Sequence, residues 1–194
     1  MKLGRELVSA DAIQRRVQEL AADVSRDYAG IDRPLILLPV LKGSVCFATD
    51  LSRHLTVPVN FDYVAVSSYG TGTESSGHVQ LLKDLTMDVA GRDVLMVEDI
   101  IDTGLTTSFL FDHVQRHRPA SLKLCVLLNK QERRITPVPM AYKGFDIPNQ
   151  FVVGYGLDFD ELYRNLSAVH VLEPQSAAAP ITGSPRPRAR RAAA

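Results

Sequence analysis

The chain has 194 residues, of which 45% are hydrophobic and 23% are charged. This ordinary globular composition excludes collagen-like, coiled-coil and disulfide-stapled proteins, and no apolar stretch reaches the length of about 18 residues that a membrane span needs. The 22 basic and 22 acidic residues balance, but four Arg and no acid fall in 181–194, so residues 1–180 carry a formal charge of −4 and form a poor general surface for nucleic acid.

The beginning of the chain and the cysteines indicate a cytosolic protein. Residues 1–10 mix charged and single apolar residues and lack the apolar core of a signal peptide. Cys46 and Cys125 stand apart among apolar neighbours. This pattern predicts two reduced, buried thiols rather than a disulfide or a zinc site.

Apolar strands and amphipathic helices alternate along residues 1–172. The first helix is capped by Ser9, repeats apolar residues at helical spacing from Ile13 to Tyr28, and stops at Gly30. Further helices are predicted at 43–55 and 103–117, and strands at 34–39, 59–66, 94–97, 122–128 and 151–153. The alternation predicts an α/β fold with a five-stranded, mainly parallel central sheet flanked by helices. In such sheets ligands bind beyond the carboxyl ends of the strands.

The segment 94–107 carries the strongest functional signal. An apolar strand ends in the carboxylate pair Glu98–Asp99, and Asp102 then precedes Thr-Gly-Leu-Thr-Thr at the start of a helix. Backbone N–H groups at a helix N-terminus attract phosphate, and nearby carboxylates can bind sugar hydroxyls or Mg²⁺. These features predict a site for a phosphorylated sugar. The alternative is a plain helix cap beside a solvated acidic loop.

Three other features are interpreted as having no catalytic role. His113 and His117 have the i, i+4 spacing of zinc ligands, but no third ligand is near them, so we predict no metal there. Residues 132–134 are interpreted as a solvated turn. Residues 174–194 are rich in Ala, Pro and Arg and are predicted to be a disordered tail, with a nucleic-acid or membrane-surface arm as the alternative.

Residues 97–106, Val-Glu-Asp-Ile-Ile-Asp-Thr-Gly-Leu-Thr, resemble the phosphoribosyl pyrophosphate motif of type I phosphoribosyltransferases. The acidic pair followed by Ile-Ile-Asp is similar to the version in hypoxanthine-guanine phosphoribosyltransferases, especially bacterial ones. The resemblance runs from about 35 to 172 and includes the segments 41–43, 67–70, 128–134 and 151–158. It implies the type I phosphoribosyltransferase fold in one domain, 1–173, with a small hood and a mobile lid loop at about 67–80.

The resemblance implies a reaction as well as a fold. The 5-phosphoribosyl group would move from phosphoribosyl pyrophosphate to N9 of a 6-oxopurine, with Mg²⁺ as cofactor and pyrophosphate as leaving group. The implied enzyme is cytoplasmic, has no nucleic-acid or membrane partner, and forms a homodimer or homotetramer. Two alternatives stay open at this point: a nucleotide-sensing regulator of the same fold that binds nucleic acid, and the same chemistry on xanthine, adenine or uracil.

Individual residues receive roles from the same resemblance. Asp102 would be the general base at purine N7. The ribose and 5′-phosphate would be held by Glu98, Asp99, Asp102, Thr103, Gly104, Leu105, Thr106 and Thr107, and pyrophosphate by Lys42, Gly43 and Arg164. The purine would contact Lys130, Phe151, Val152 and Asp158, the lid would include Ser68 and Tyr69, and Mg²⁺ would be held by Glu98, Asp99 and Asp158. Lys130 would donate to the purine 6-oxygen and so select against adenine. The choice between hypoxanthine and guanine stays open.

Overall fold

A computed structural model of the chain describes residues 1–69 and 78–174. Within these ranges the helices are α1 (Ala10–Asp27), α2 (Val45–His54) and α3 (Leu105–Arg116), and a 3₁₀ turn covers Gln131–Arg133. The strands are β1 (Lys2–Val8), β2 (Leu35–Leu41), β3 (Val59–Phe61), β4 (Val64–Tyr69), β5 (His78–Lys83), β6 (Asp93–Ile101), β7 (Ser121–Asn129), β8 (Tyr142–Asp146), β9 (Val152–Val153) and β10 (Val169–Glu173). The predicted tail beyond Pro174 and the centre of the predicted lid, 70–77, lie outside the described residues.

The larger sheet is mostly parallel and has the order β5-β4-β2-β6-β7-β8. Strand β2 pairs in parallel with β6 on one side, and with β3 and then β4 on the other, so the predicted strand 59–66 exists but is interrupted. The β4–β5 pair is antiparallel. The predicted α/β class with a mainly parallel central sheet is confirmed.

One predicted strand lies in a different sheet. The last of the five predicted parallel strands is 151–153, but in the structure β8 is the strand that pairs in parallel with β7. Residues 152–153 instead pair antiparallel with β10, in a three-stranded sheet whose third strand is β1. The segment 142–146, Tyr-Lys-Gly-Phe-Asp, has no apolar run because it is an edge strand with only partial cover. Strand β1 is mostly exposed and shows no apolar pattern either. Assignment by apolar runs therefore overlooked β8 and β1.

Helices cover both faces of the central sheet, and each face has its own apolar core. α1 and α2 pack against the face that carries Leu95 and Val97, whereas α3 packs against the face that carries Val94 and Met96. Successive residues of a strand point to opposite faces. Glu98 therefore continues the face of α3, and Asp99 continues the face of α1 and α2.

Local predictions about the first helix and Cys125 agree with the structure, whereas the predicted burial of Cys46 is only partial. The Ser9 hydroxyl accepts a hydrogen bond from the backbone N–H of Ala12 at 3.2 Å, which caps α1. Cys46 and Cys125 are free thiols; Cys125 is buried, which raises its pKa, while Cys46 is only half-buried. Of the helices within 1–69 and 78–174, none is both long and apolar enough to cross a membrane.

Asp62 connects β3 to β4 and is a buried acceptor of hydrogen bonds. Its side chain is 2% exposed and accepts from the backbone N–H groups of Tyr63, Thr86 and Met87 and from the Thr86 hydroxyl, at 2.7–2.8 Å. Burial acts to raise the pKa of Asp62, but these hydrogen bonds hold it below its ordinary value. The carboxylate therefore stabilises the junction that leads into β4.

Replacing Asp62 with alanine is expected to lower the free energy of unfolding by about 2–4 kcal/mol, because several N–H groups lose their acceptor. The folded pKa is depressed, so this stabilisation is present above the unfolded pKa of about 4 and is lost as pH falls through the folded pKa. Urea unfolding at neutral pH and across the acid range measures both effects. Asp88→Ala, at an exposed acid of the following turn, is the control; equal losses in the two variants would contradict the role of Asp62.

Candidate active site

A polar cleft of about 370 Å³ opens beside the carboxyl ends of β2, β6 and β7. Because these strands are parallel and adjacent, their carboxyl ends and the loops that follow meet at one edge of the sheet. The cleft is lined by ten of the predicted site residues: Lys42, Gly43, Glu98, Asp99, Asp102, Lys130, Phe151, Val152, Asp158 and Arg164. The predicted residues from four separate segments therefore converge in space.

The acidic pair sits at the end of β6 with its two carboxylates in different surroundings. Glu98 is 5% exposed, and the Thr107 side chain of α3 lies beside it. Burial, and then repulsion from Asp99, raise the pKa of Glu98 well above its ordinary value. Burial also raises the pKa of Asp99, to about 6, although the Arg164 guanidinium acts in the opposite direction. Burial and mutual repulsion therefore disfavour the charged form of this pair.

Gly43 lets the loop after β2 lie directly against Asp99. A Cβ atom at Gly43 would be 1.7 Å from Oδ2 of Asp99, and a Cβ at Gly156 would be 2.0 Å from the Gly43 carbonyl oxygen. Gly43 therefore contacts the Asp99 carboxylate on one side and the backbone at Gly156 on the other. The peptide bond between Leu41 and Lys42 in this loop is cis.

Gly43→Ala is expected to reduce activity strongly while leaving most of the protein folded. The new methyl group would displace either the Asp99 carboxylate or the loop that carries Lys42, and a misplacement of about 1 Å can cost about 100-fold in rate. Steady-state kinetics and a thermal unfolding curve measure the two effects. Gly91→Ala is the control: no atom lies within 4 Å of the added carbon, but the φ of +63° strains an alanine, so this variant should lose some stability and keep its activity. Full activity of Gly43→Ala would show that the close contact is dispensable.

A network of ion pairs forms one wall of the cleft. The Arg164 guanidinium lies 2.8 Å from Oδ1 of Asp158 and also donates to the Gly156 carbonyl at 2.8 Å. Glu161 joins this arginine to Lys42, with distances of 3.3 Å and 2.9 Å. Both cations that were predicted to hold pyrophosphate therefore share one exposed glutamate, which the sequence motifs did not identify.

Asp102 and Lys130 face each other across the cleft. Oδ2 of Asp102 is 3.8 Å from Nζ of Lys130 and 3.3 Å from Nη1 of Arg133. Oδ1 of Asp102 is buried, and no hydrogen-bond donor for it is found in the part of the chain that the structure describes. Lys130 is 7% exposed, and burial lowers its pKa. The site thus presents a free carboxylate oxygen and a desolvated ammonium side by side.

The turn after Asp102 leads directly into α3. Gly104 has a φ of +86°, and a Cβ there would be 2.5 Å from the Thr136 carbonyl oxygen. The backbone N–H groups of Ile135 and Thr136 both donate to the Thr103 carbonyl, which fixes the turn from the other side. The predicted phosphate residues Thr103–Thr107 therefore form the N-terminus of α3. Thr107 is 3% exposed, so its backbone N–H at the helix start is the simpler contact for a phosphate.

The prediction of a solvated turn at 132–134 holds for the exposed Glu132 and Arg133 but is wrong for the half-buried Arg134. Arg133 pairs with Asp102 as described, and Arg134 donates to the carbonyl oxygens of Ile101 and Asp102 and to the Asn129 side chain. Arg134 thus ties the end of β6 to the loop after β7. A charged tripeptide has no local signal for such a role, because its partners on β6 are 32 and 33 residues earlier in the chain.

Two predicted parts of the site are less complete in the structure. Phe151 is 41% exposed at the cleft, and its ring meets that of Phe159 edge-on with centroids 5.8 Å apart; Val152 beside it is buried. Ser68 and Tyr69 end β4, where their backbones pair with the start of β5. The loop between β4 and β5, residues 70–77, lies outside the described residues. Lid closure therefore stays a prediction.

Comparison with known proteins decides the family. The phosphoribosyl transferase domain matches residues 5–160. The chain belongs to the phosphoribosyl transferase family. A hypoxanthine-guanine phosphoribosyltransferase of Mycobacterium avium is 50% identical over 173 residues, covering 87% of this chain and 85% of the relative. One of Streptococcus thermophilus is 43% identical over 169 residues, covering 87% and 93%.

Solved structures give the same result for this phosphoribosyltransferase. A hypoxanthine-guanine phosphoribosyltransferase of Bacillus anthracis, with a HEPES molecule in its active site, has a TM-score of 0.83 and 45% identity, over 89% of this chain and 100% of that chain. A hypoxanthine phosphoribosyltransferase of Trypanosoma cruzi in a ternary substrates complex has a TM-score of 0.82 and 43% identity, over 89% and 94%. The predicted family, fold and enzyme class are confirmed. The roles of individual residues stay predictions.

Proposed function

We propose that this phosphoribosyltransferase makes purine nucleotides by moving the 5-phosphoribosyl group from phosphoribosyl pyrophosphate to N9 of hypoxanthine or guanine. The observation that supports this most is one cleft that joins the Glu98–Asp99 pair to Asp102 and the buried Lys130. Relatives named hypoxanthine-guanine phosphoribosyltransferase at 43–50% identity favour the same class of base.

The sugar phosphate would lie against the end of β6 and the start of α3. The backbone N–H groups around Gly104–Thr107 form a helix N-terminus, which is a favourable place for the 5′-phosphate. The Asp99 carboxylate would accept hydrogen bonds from ribose hydroxyls. Lys42 and Arg164 would turn from Glu161 to the pyrophosphate, whose higher charge is a stronger partner for both cations.

The donor set of the cleft fits Mg²⁺. Glu98, Asp99 and Asp158 offer carboxylate oxygens, which Mg²⁺ prefers. Burial raises the pKa of Glu98 and of Asp99, and a bound cation would favour their charged forms. Mg²⁺, when bound, would neutralise charge on the pyrophosphate leaving group. The task of the protein side chains is then to hold the sugar and the base in line.

The base would be held by three neighbouring groups. The Lys130 ammonium would donate to the purine 6-oxygen, while the free Oδ1 of Asp102 would accept the proton from N7 as the bond at N9 forms. The exposed ring of Phe151 would cover the face of the purine. An amino group at position 6 would place a donor against the Lys130 ammonium, so adenine would leave the buried charge without an acceptor.

Incubation of the full chain with hypoxanthine, phosphoribosyl pyrophosphate and Mg²⁺ tests the proposal. We expect equal amounts of inosine monophosphate and pyrophosphate by chromatography, and guanosine monophosphate from guanine. Adenine, xanthine and uracil in parallel reactions test the base assignment. Absence of product from both hypoxanthine and guanine would overturn the proposal, and product from adenine alone would reassign the base.

The remaining predictions concern the whole protein. A homodimer or homotetramer, a cytoplasmic location and a domain ending near 173 are implied by the family resemblance. Light scattering on the purified chain measures the first of these.

A further inference from the structure

A second cluster of polar side chains lies near the C-terminal end of α3, away from the cleft. Asp84 follows β5, His113 is in the last turn of α3, and His117 caps that helix. Nε2 of His113 is 2.7 Å from Oδ1 of Asp84, and the two imidazole rings are 5.3 Å apart between centroids. One ligand atom from each residue lies within 4.8 Å of those of the other two.

The three side chains have the chemistry and spacing of transition-metal ligands. Histidines at i and i+4 project from the same side of a helix, and a carboxylate completes a common three-ligand set with water in the fourth position. Ligand atoms about 2.0–2.1 Å from a tetrahedral Zn²⁺ are about 3.3 Å apart. Small side-chain rotations would therefore bring the present distances to that value. Asp84 brings a third potential ligand atom to the two histidines, which their sequence spacing did not reveal.

Two of the ligands are already oriented by their neighbours. The backbone N–H of Leu85 donates to Oδ1 of Asp84 at 2.7 Å. The Phe109 ring stacks on that of His113, with an angle of 13° between their planes. Interactions of this kind fix ligand geometry before a metal binds and reduce the entropy lost on binding. A simple Asp84–His113 ion pair accounts for the first two residues, but it gives no role to the adjoining His117.

We propose that Asp84, His113 and His117 bind one transition-metal ion of the Zn²⁺ class. Imidazole ligands favour Zn²⁺, Ni²⁺ or Cu²⁺ over Mg²⁺, so this site differs in metal type from the all-carboxylate cleft. His113 lies nine residues beyond Gly104, or about 13 Å along the helix. The bound metal would fasten α3 to the end of β5, a strand whose other end adjoins the predicted lid. It would therefore stabilise the helix that carries the phosphate turn.

Calorimetric titration of the untagged, chelator-treated full chain with ZnCl₂ tests the proposal, with excess Mg²⁺ present to occupy the carboxylate cleft. We expect one equivalent of Zn²⁺ to bind and to raise the melting temperature. His117→Gln changes an exposed side chain, so it should keep the metal-free melting temperature while weakening Zn²⁺ binding by about tenfold or more. Asp84→Asn should weaken binding in the same way.

The matched controls are His54→Gln, at an exposed histidine on α2, and Cys46→Ser, at a half-buried free thiol. Both should bind Zn²⁺ as the unaltered chain does. No binding by the unaltered chain would reduce the cluster to an ion pair and overturn the proposal. Unchanged binding by His117→Gln, or loss of binding in either control, would overturn it as well.

Discussion

Asp102→Asn is expected to lower the turnover number with hypoxanthine by about 10²–10⁴-fold, the usual contribution of a general base. The amide keeps the shape of the side chain but cannot take the proton from purine N7. Oδ1 of Asp102 is buried and has no donor among residues 1–69 and 78–174, so its capacity to accept a hydrogen bond or a proton is unused. Phosphoribosyl pyrophosphate binding should change much less, because the phosphate turn is held by backbone contacts from Ile135 and Thr136.

Turnover from steady-state kinetics and the dissociation constant of phosphoribosyl pyrophosphate from calorimetry separate the two effects. Asp93→Asn is the matched control. Asp93 begins β6 at the end far from the cleft, and its carboxylate accepts a hydrogen bond from the Ser121 hydroxyl. It should leave both quantities unchanged. If Asp102→Asn weakened binding and turnover equally, Asp102 would position the substrate rather than accept its proton.

Lys130→Met is expected to reduce kcat/KM for hypoxanthine by about 10–100-fold, since a hydrogen bond from a charged group contributes about 1.5–3 kcal/mol. Methionine fills similar space but offers the 6-oxygen no donor. The preference for hypoxanthine over adenine should fall, because the ammonium that disfavours adenine is gone. The free energy of unfolding should change little, because burial already disfavours the charged form of Lys130 and lowers its pKa.

Kinetics with hypoxanthine and with adenine measure this change in preference, and urea unfolding measures the stability. Lys143→Met, which removes a lysine from an exposed ion pair with Asp146, is the control and should alter neither. An unchanged ratio between the two bases would mean that Lys130 does not determine base selection.

The contiguous part of the site was predictable from the sequence. The strand, the acidic pair, Asp102 and the phosphate turn follow one another within 94–107. Their order in the chain is also their order in space, because a strand that enters a helix through a short turn leaves little freedom. Lys42, Lys130 and Arg164 were reached through the family resemblance, since lone basic residues have no pattern of their own.

Contacts between distant segments were not predictable. Glu161 bridges Lys42 and Arg164, and Arg134 fastens the end of β6, but both are ordinary charged residues in the sequence. The same holds for Asp84, which lies 29 positions before His113. These partners meet only because the sheet brings loops together that are far apart along the chain.

The sequence by itself determined the alternation of strands and helices and the chemistry of the segment 94–107, because buried parallel strands require continuous apolar runs and the phosphate turn is local. The tertiary structure alone decided which edge strand takes the fifth parallel position, where the two carboxylates of the acidic pair point, and which charged residues pair. Edge strands are only partly buried and ion pairs form through space, so neither leaves a periodic pattern along the chain.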